Sequence, residues 1–337
     1  MDKRLFAISS VQSSCLQYQL RDYCHGFRQL GWDVEVFRER WPGENPIGGK
    51  AMVESILWFR PSIILGVDYA RGQNPELFPL FSSFVCVVND ALPRFVAPAE
   101  APRVAQAMQP NDIICTTFPG LAQRLIDQTF PADRVKHLPL AANEDMFHPL
   151  DIPQDEFTVA FPSNVAHPGF GDPAARYQYY TDPIRWLIEM GVKVKLYGEG
   201  WANEEFGAYW HGKVRNGPEL NLAYNDCSAV AHINVDTGLH SRVFEASACG
   251  KPVLHRALPN DNHPVGIDSH GLPNVFKFHD KESLGKAIEI IKKADKDTMG
   301  NGRRTLLTLA RGTIVSGDTF RHRAESIVRM VEEVQGE

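Results

Sequence analysis

Residues 236–253 read DTGLHSRVFEASACGKPV, and the architecture of the chain can be worked out from this stretch. The apolar residues before it, 229–235, predict a buried strand, and a glycine turn then leads into an amphipathic helix at 241–249. Another short apolar run, 252–255, predicts a second strand directly after the helix. A strand, a helix and a second strand in this order predict a parallel sheet with a right-handed crossover.

The same alternation extends towards both ends of the chain. Predicted strands fall at 5–9, 33–37, 62–66, 84–88, 112–116, 135–138, 157–161, 192–197 and 274–278. Predicted helices fall at 16–30, 51–59, 119–128, 174–190, 219–226, 281–294, 299–310 and 319–334. A proline-containing segment without clear periodicity, 139–154, separates two halves of similar size. We therefore expect two α/β domains whose parallel sheets face one another across a cleft, with ligands at the carboxyl ends of the strands.

Length, charge and cysteine usage limit the possible classes of protein. With 337 residues, 43% hydrophobic and 23% charged, the sequence is typical of a globular protein of two domains. The net charge of −6 does not favour nucleic-acid binding overall, although a local basic patch stays compatible with it. No segment approaches the roughly 18 apolar residues that a membrane-spanning helix requires. The six cysteines lack a C-x-x-C spacing, which indicates free buried thiols in a reducing cytoplasm and no zinc site.

The start of the helix at 241–249 has the features of an anion site. Gly238 lies in the turn, and His240 and Ser241 lie where the helix presents its free N–H groups and the positive end of its dipole. Arg242, in the first turn, can bind the same anion with its forked guanidinium. Glu245 lies on the same helix face, where a carboxylate suits the two hydroxyls of a ribose. This pattern predicts a nucleotide-diphosphate site; the alternative is a surface ion pair between Arg242 and Glu245.

At these residues the chain resembles a known family. The stretch RVFEASACG at 242–250 is similar to the R-x-F-E-A-x-A-C-G segment of CgeB-like (spore-maturation type) glycosyltransferases, which belong to the GT-B nucleotide-sugar glycosyltransferases. Three further stretches resemble that group: LYGEGW at 196–201, LPLAAN at 138–143 with FHP at 147–149, and TFRHR at 319–323. The resemblance covers the second half of the chain, and the first half only in its general α/β layout.

The resemblance implies a GT-B fold, glycosyltransferase activity and a nucleotide-diphosphate sugar as co-substrate, with UDP as the expected nucleotide and no other cofactor. It further implies that Glu245 holds the donor ribose and Arg242 the diphosphate. Gly198 and Gly200 would let a loop approach the nucleotide, since glycine lacks a Cβ, although an ordinary tight turn is the alternative. Asn164 follows the first strand of the second domain and is expected either to line the same site or to lie in a surface turn.

One position departs from the wider group. Many retaining relatives place a second glutamate eight residues before the one that matches Glu245. Here Thr237 stands at that position, with Asp236 beside it as the candidate donor contact. The sequence therefore leaves open whether the transfer is retaining or inverting.

We expect an acceptor domain at 1–148, a donor domain at 149–318, and a C-terminal helix at 319–337 that packs back on the acceptor domain. The acceptor domain would also supply any catalytic base. Asp90 and Asp68 each follow a predicted strand, so each is a candidate to take the acceptor hydroxyl proton in an inverting transfer. A helix N-cap or an Asx turn is an equally good interpretation of Asp90.

Other chemistries have little support in the sequence. No G-x-G-x-x-G opens a helix after the first strand, and no Walker-type phosphate loop or G-x-S-x-G elbow occurs. No convincing D-x-D carboxylate pair lies near a strand end, so we expect no catalytic metal. The acceptor stays open between a glycan, a protein, a lipid and a modified nucleic-acid base. Two alternative functions remain: a nucleotide-sugar 2-epimerase of the same fold, and a non-catalytic nucleotide-sugar-binding protein.

Overall fold

The chain forms two compact units, which are described separately below. The computed structural model describes residues 1–9, 14–37, 49–73, 78, 82–88, 100–117, 119–165, 173–203, 205–233, 240–257, 271–296 and 301–336. Unit 1 comprises Met1–Leu140 and Thr319–Glu337, and unit 2 comprises Ala141–Asp318.

Unit 1 is built on a six-stranded parallel sheet. Its strands are β1 (Arg4–Ser9), β2 (Asp33–Phe37), β3 (Ile63–Val67), β4 (Ser83–Val88), β5 (Ile113–Thr116) and β6 (Val135–His137). They lie in the order β2-β1-β3-β4-β5-β6. The helices are α1 (Ser14–Gln29), α2 (Gly49–Phe59), α3 (Ala101–Gln106), α4 (Pro119–Asp127) and, from the end of the chain, α10 (Phe320–Gln335). Strands β3 and β4 are buried at every position, as expected for central parallel strands covered on both faces.

A buried ion pair joins two loops of unit 1. The Arg71 guanidinium donates to both carboxylate oxygens of Asp112, at 3.1 and 2.8 Å, and also to the carbonyl oxygen of Ser82 at 2.7 Å. Both side chains of the pair are less than 5% exposed. Burial raises the pKa of Asp112, and the charge of Arg71 opposes that rise. These bonds satisfy both charges inside the unit, as burial requires.

The last helix of the chain belongs to unit 1. Helix α10 packs against α1, where the rings of Phe320 and Tyr23 meet edge to face at 4.9 Å. A Cβ at Gly26 would lie 2.2 Å from the carbonyl oxygen of Phe320, so only glycine permits this approach of the two helices. Arg323 donates to the carbonyl oxygens of Pro139 and Leu140, at 2.6 and 2.7 Å, and so ties α10 to the end of the unit's first segment.

Unit 2 contains a five-stranded parallel sheet. Its strands are β7 (Thr158–Pro162), β8 (Lys193–Tyr197), β9 (Ala229–Ile233), β10 (Val253–Arg256) and β11 (Val275–Phe278), in the order β11-β10-β9-β7-β8. The helices are α5 (Pro173–Glu189), α6 (Pro218–Asn225), α7 (Ser241–Ala248), α8 (Lys281–Lys296) and α9 (Asn301–Gly317). Apolar side chains from the strands and from α5 and α8 form the core of the unit.

The division between the units falls at Leu140, whereas the sequence placed it at 148. The physical reason is that residues before 148 already contact unit 2. The N–H of Ala142 donates to the carbonyl oxygen of Asp318 at 3.0 Å, and the ring of Phe147 lies 5.9 Å from that of Tyr224 on α6. The residues that follow Leu140 are therefore held by unit 2.

Two predictions about membranes and cysteines can be compared with the structure. In the described ranges, no helix is both long and apolar enough to cross a membrane. Cys24, Cys86, Cys115, Cys227 and Cys249 are buried free thiols, as the sequence predicted. Burial raises the pKa of Cys227 to about 11 and that of Cys115 to about 12, so both stay protonated.

Candidate functional site

Helix α7 begins with a side-chain cap. His240 is the N-cap residue, with φ −135° and ψ 161°, and its Nδ1 accepts the N–H of Arg242 at 3.5 Å. The same Nδ1 lies 3.1 Å from the hydroxyl of Ser241. Because Nδ1 acts as an acceptor, a neutral His240 carries its proton on Nε2 and can donate there. The helix start thus combines backbone N–H groups with an imidazole donor, which suits an anion.

Glu245 lies in the second turn of α7 and is 5% exposed. One carboxylate oxygen accepts the hydroxyl of Tyr224 at 2.8 Å, and the other accepts from the side-chain amide of Asn216 at 3.4 Å. Burial and the neighbouring carboxylate raise the pKa of Tyr224 far above its usual value, so the phenol remains a donor. Glu245 is therefore not a surface residue, which the alternative interpretation from the sequence had assumed.

A row of buried polar side chains on α6 faces α7. Asn221, Tyr224 and Asn225 are all less than 5% exposed. The side-chain oxygen of Asn221 accepts from the amide of Asn225 at 3.1 Å and from the thiol of Cys249 at 3.1 Å. Helix α6 is therefore hydrogen-bonded to α7 at two points: near the middle of α7, through Glu245, and at the C-terminal end of α7, through Cys249. This double attachment fixes the position of α7 relative to α6.

The structure brings Asn164, Gly198 and Gly200 together at the carboxyl ends of β7 and β8. The side-chain oxygen of Asn164 accepts the N–H of Glu199 at 2.8 Å, between the two glycines. Both glycines have positive φ, 120° and 91°. A Cβ at Gly198 would lie 2.7 Å from the Asn164 oxygen, and one at Gly200 would lie 2.3 Å from a methyl carbon of Val165. The glycines are thus required by the local contact between these two loops.

Three histidine rings form a column that ends at the cap of α7. His232 on β9 pairs in register with His255 on β10, and their rings stack at 5.4 Å with an interplanar angle of 12°. The ring of His232 also lies 5.7 Å from the ring of His240, with an interplanar angle of 30°. Burial lowers the pKa of His232 well below its usual value, and the charges of His255, His240 and Arg242 lower it further. His232 is therefore neutral at physiological pH.

In unit 1, Asp68 lies directly after β3 and is 7% exposed. Its backbone occupies the left-handed region, with φ 49°, and its N–H donates to the carbonyl oxygen of Val87 at 2.9 Å. Left-handed backbone is uncommon for a residue other than glycine, and such residues cluster at functional sites. Asp68 thus remains a candidate base at the carboxyl end of the sheet.

Several predicted site residues lie outside the described residues. These are Asp90, Asp236 and Gly238. Their roles stay predictions from the sequence. Within the part of the chain that the structure describes, no three histidine, cysteine, aspartate or glutamate side chains are arranged to hold a metal ion.

The sequence analysis missed four residues that the structure brings to the start and middle of α7. Two of them, His232 and His255, stand inside apolar strands, AVAHI and VLHR, where a polar residue is itself a signal. The other two, Asn216 and Tyr224, precede Glu245 by 29 and 21 positions. No periodicity links positions at those separations.

Comparison with known proteins begins with a family model. The model described as "Glycosyl transferase-like" matches residues 181–329, which is somewhat less than half of the chain and contains α6 and α7. Among proteins with curated descriptions, none matches this sequence.

Solved structures resemble the whole chain. A glycosyltransferase from Rickettsia africae matches with a TM-score of 0.69 at 11% identity, covering 99% of each chain. Sucrose-phosphate synthase from Thermosynechococcus elongatus matches with a TM-score of 0.68 at 13% identity, also covering 99% of each. HepE from Anabaena, solved with UDP and glucose, matches with a TM-score of 0.61 at 14% identity, covering 98% of this chain and all of the other.

These comparisons define the class of fold. At sequence identities of 11–14%, similarity to these structures establishes the fold alone. That fold is the predicted GT-B fold, with two parallel-sheet α/β domains. Residues 181–329 are similar to the family model described as "Glycosyl transferase-like". The expected fold class is confirmed, and the expected glycosyltransferase class agrees with the description of the family model that matches residues 181–329.

Proposed function

We propose that the protein is a glycosyltransferase that moves a sugar from a nucleotide-diphosphate sugar to an acceptor. The observation that carries the proposal is the buried carboxylate of Glu245, which lies on α7, the short helix capped by His240, and accepts the hydroxyl of Tyr224 on α6. A helix start suits a diphosphate, and a carboxylate close to it suits a ribose. We propose the CgeB-like group as the subtype, on the resemblance of residues 242–250.

Ligands of the structural relatives motivate a UDP-sugar as the first donor to test. HepE has been solved with UDP, with UDP-glucose, and with UDP and glucose. The catalytic domain of starch synthase IV from Arabidopsis thaliana, a further structural match at 10% identity, was bound to ADP and acarbose. Nucleoside diphosphates are therefore the probes of choice for unit 2.

We assign the roles in the donor site as follows. Glu245 holds the ribose, Arg242 and the start of α7 with His240 and Ser241 hold the diphosphate, and Asp236 contacts the sugar. Arg242 supplies the positive charge that stabilises the leaving diphosphate, so we propose a transfer without a metal ion. The remaining proposed donor contacts are Gly198, Gly200, Asn164 and Gly238.

We propose that unit 1 binds the acceptor and that Asp90 or Asp68 acts as the base. The acceptor class is a glycan, a protein, a lipid or a modified nucleic-acid base. A cytoplasmic location agrees with the buried free thiols of both units.

A thermal-shift screen over UDP-, GDP-, dTDP- and CMP-linked sugars tests the proposal. We expect one nucleotide series to raise the melting temperature, because a ligand that binds the folded state stabilises it. Slow release of free sugar from that donor supports a transferase. Conversion to an epimeric donor without an acceptor would point instead to an epimerase, and tight binding without turnover would point to a binding protein. No shift with any donor would contradict the proposal.

The metal-free mechanism has its own test. Hydrolysis or transfer should proceed unchanged in EDTA. Activity that stops in EDTA and returns with manganese would contradict the role given to Arg242.

A further inference from the structure

We propose that Tyr224 is a positioning residue that orients Glu245 for recognition of the donor ribose, and thereby sets the preference for a ribonucleotide over a 2′-deoxyribonucleotide. This inference rests on the proposed function, because it assigns the ribose to Glu245. The inference extends the donor site to Tyr224, a residue of a different helix, α6, that lies outside the sequence motif of α7.

The geometry supports orientation of the carboxylate from two sides. The hydroxyl of Tyr224 donates to one oxygen of Glu245 at 2.8 Å, and the amide of Asn216 donates to the other at 3.4 Å. A hydrogen bond to each oxygen fixes the plane of the carboxylate as well as its position. Tyr224 is completely buried, so water cannot replace its hydroxyl without a rearrangement of α6.

Further contacts hold Tyr224 and its helix in place. Its ring lies 5.9 Å from that of Phe147, and the neighbouring Asn221 and Asn225 bond to each other and to residues 148–150. Burial and the charge of Glu245 keep the phenol protonated, so it acts as a constant donor across the physiological pH range. Tyr224 can therefore hold Glu245 in one orientation.

The chemistry follows from the number of acceptor positions. A carboxylate offers about four lone-pair positions, so it can accept from Tyr224, from Asn216 and from both hydroxyls of a ribose at the same time. The two ribose hydroxyls require two acceptor positions in the right plane. A carboxylate that rotates freely would not keep two acceptor positions in that plane. It would bind a sugar with one hydroxyl about as well as a sugar with two, so the preference for ribose over 2′-deoxyribose would fall.

Calorimetric titration with four pairs of nucleotides tests the inference: UDP, GDP, ADP and CDP, each against its 2′-deoxy form. For the nucleotide that binds, we expect the wild type to prefer the ribose form by about tenfold or more, the loss of one hydrogen bond to a charged group. In Tyr224→Phe, which keeps the ring, we expect the preference to shrink towards unity, mainly through weaker binding of the ribose form. Glu245→Gln should remove the same preference.

Ser247→Ala is the matched control. Ser247 is a buried residue of α7 whose hydroxyl donates to the carbonyl oxygen of Val243 at 2.7 Å. Its loss should lower the melting temperature without changing the ribose preference. If Tyr224→Phe weakens both forms of the nucleotide equally, or neither, Tyr224 has only a structural role and the inference is overturned while the proposed function stands. If no nucleotide binds the wild type, both are overturned.

Discussion

The two units of the chain use buried charge in different ways. In unit 1, Arg71 and Asp112 neutralise each other and satisfy their remaining bonds with backbone atoms. In unit 2, Glu245 is as deeply buried, and it accepts hydrogen bonds from two neutral groups, the hydroxyl of Tyr224 and the amide of Asn216. A charge that is paired inside the protein contributes to the integrity of a loop. Hydrogen bonds from neutral groups orient a carboxylate without neutralising its charge.

The difference indicates where function should be sought. Perturbed and buried polar groups mark both structural and functional sites, so burial alone does not separate them. The groups around each buried charge separate the two kinds of site. Glu245 lies on the helix that His240 caps, beside a column of histidines, whereas the Arg71–Asp112 pair connects loops. The following experiments test this contrast, from the largest expected effect to the smallest.

The largest effect is expected for the catalytic base proposed in unit 1. Asp90→Asn keeps the shape of the side chain and removes its ability to accept a proton, so the rate should fall by about 10²–10⁴-fold with unchanged donor affinity. Steady-state kinetics and nucleotide titration measure the two quantities. Asp68→Asn is the matched variant. A full rate in Asp90→Asn together with a loss in Asp68→Asn would move the base to Asp68, and full rates in both would indicate a mechanism without a protein base.

Breaking the ion pair of unit 1 should affect stability alone. Asp112→Asn leaves the Arg71 charge buried without its partner, which typically costs about 3–5 kcal/mol of unfolding free energy. Urea unfolding measures that loss, and nucleotide affinity should not change. The control is Glu100→Gln, which breaks an exposed pair with Arg103 and should cost less than about 1 kcal/mol. Weakened nucleotide binding in Asp112→Asn would show that the two units do not differ as described.

In unit 2, Glu245→Ala should weaken binding of the nucleoside diphosphate by about 1.5–3 kcal/mol, the usual contribution of a hydrogen bond to a charged group. Titration calorimetry measures the change. Circular dichroism checks that the fold is intact. Unchanged affinity in a folded variant would remove Glu245 from the donor site.

The smallest effect concerns the histidine column. The pKa of His232 is lower in the folded than in the unfolded state, so its contribution to stability is present above the unfolded pKa of about 6.5 and is lost as the pH falls below it. Lowering the pH from about 7.5 to about 5 should therefore reduce the free energy of unfolding by about 2 kcal/mol through protonation of this residue in the unfolded state. Denaturant titrations at both pH values measure the loss.

The variant His232→Leu should remove that part of the pH dependence. His279→Gln, which changes an exposed histidine of the same unit, should not. Equal pH dependence in wild type and His232→Leu would show that His232 does not remain neutral in the folded protein.

Much of the fold could be predicted because its signals are local. The strand predicted at 33–37 agrees with β2 at both ends, and the helix predicted at 241–249 agrees with α7 to within one residue. Helix α3 was missed, since its six residues are too few to show a helical period. The strand predicted at 229–235 is described as Ala229–Ile233, and residues 234 and 235 lie outside the described ranges.

The sequence by itself determined the alternation of strands and helices, the buried free thiols, and the helix that begins at Ser241 with Glu245 in its second turn. Each of these depends on the chemistry of residues that are neighbours along the chain. The tertiary structure decided that Tyr224 reaches Glu245 and that His255 stacks on His232. Both contacts depend on which elements lie side by side and in what register, because a hydrogen bond or a ring stack requires closeness in space. Local periodicity carries no information about that closeness.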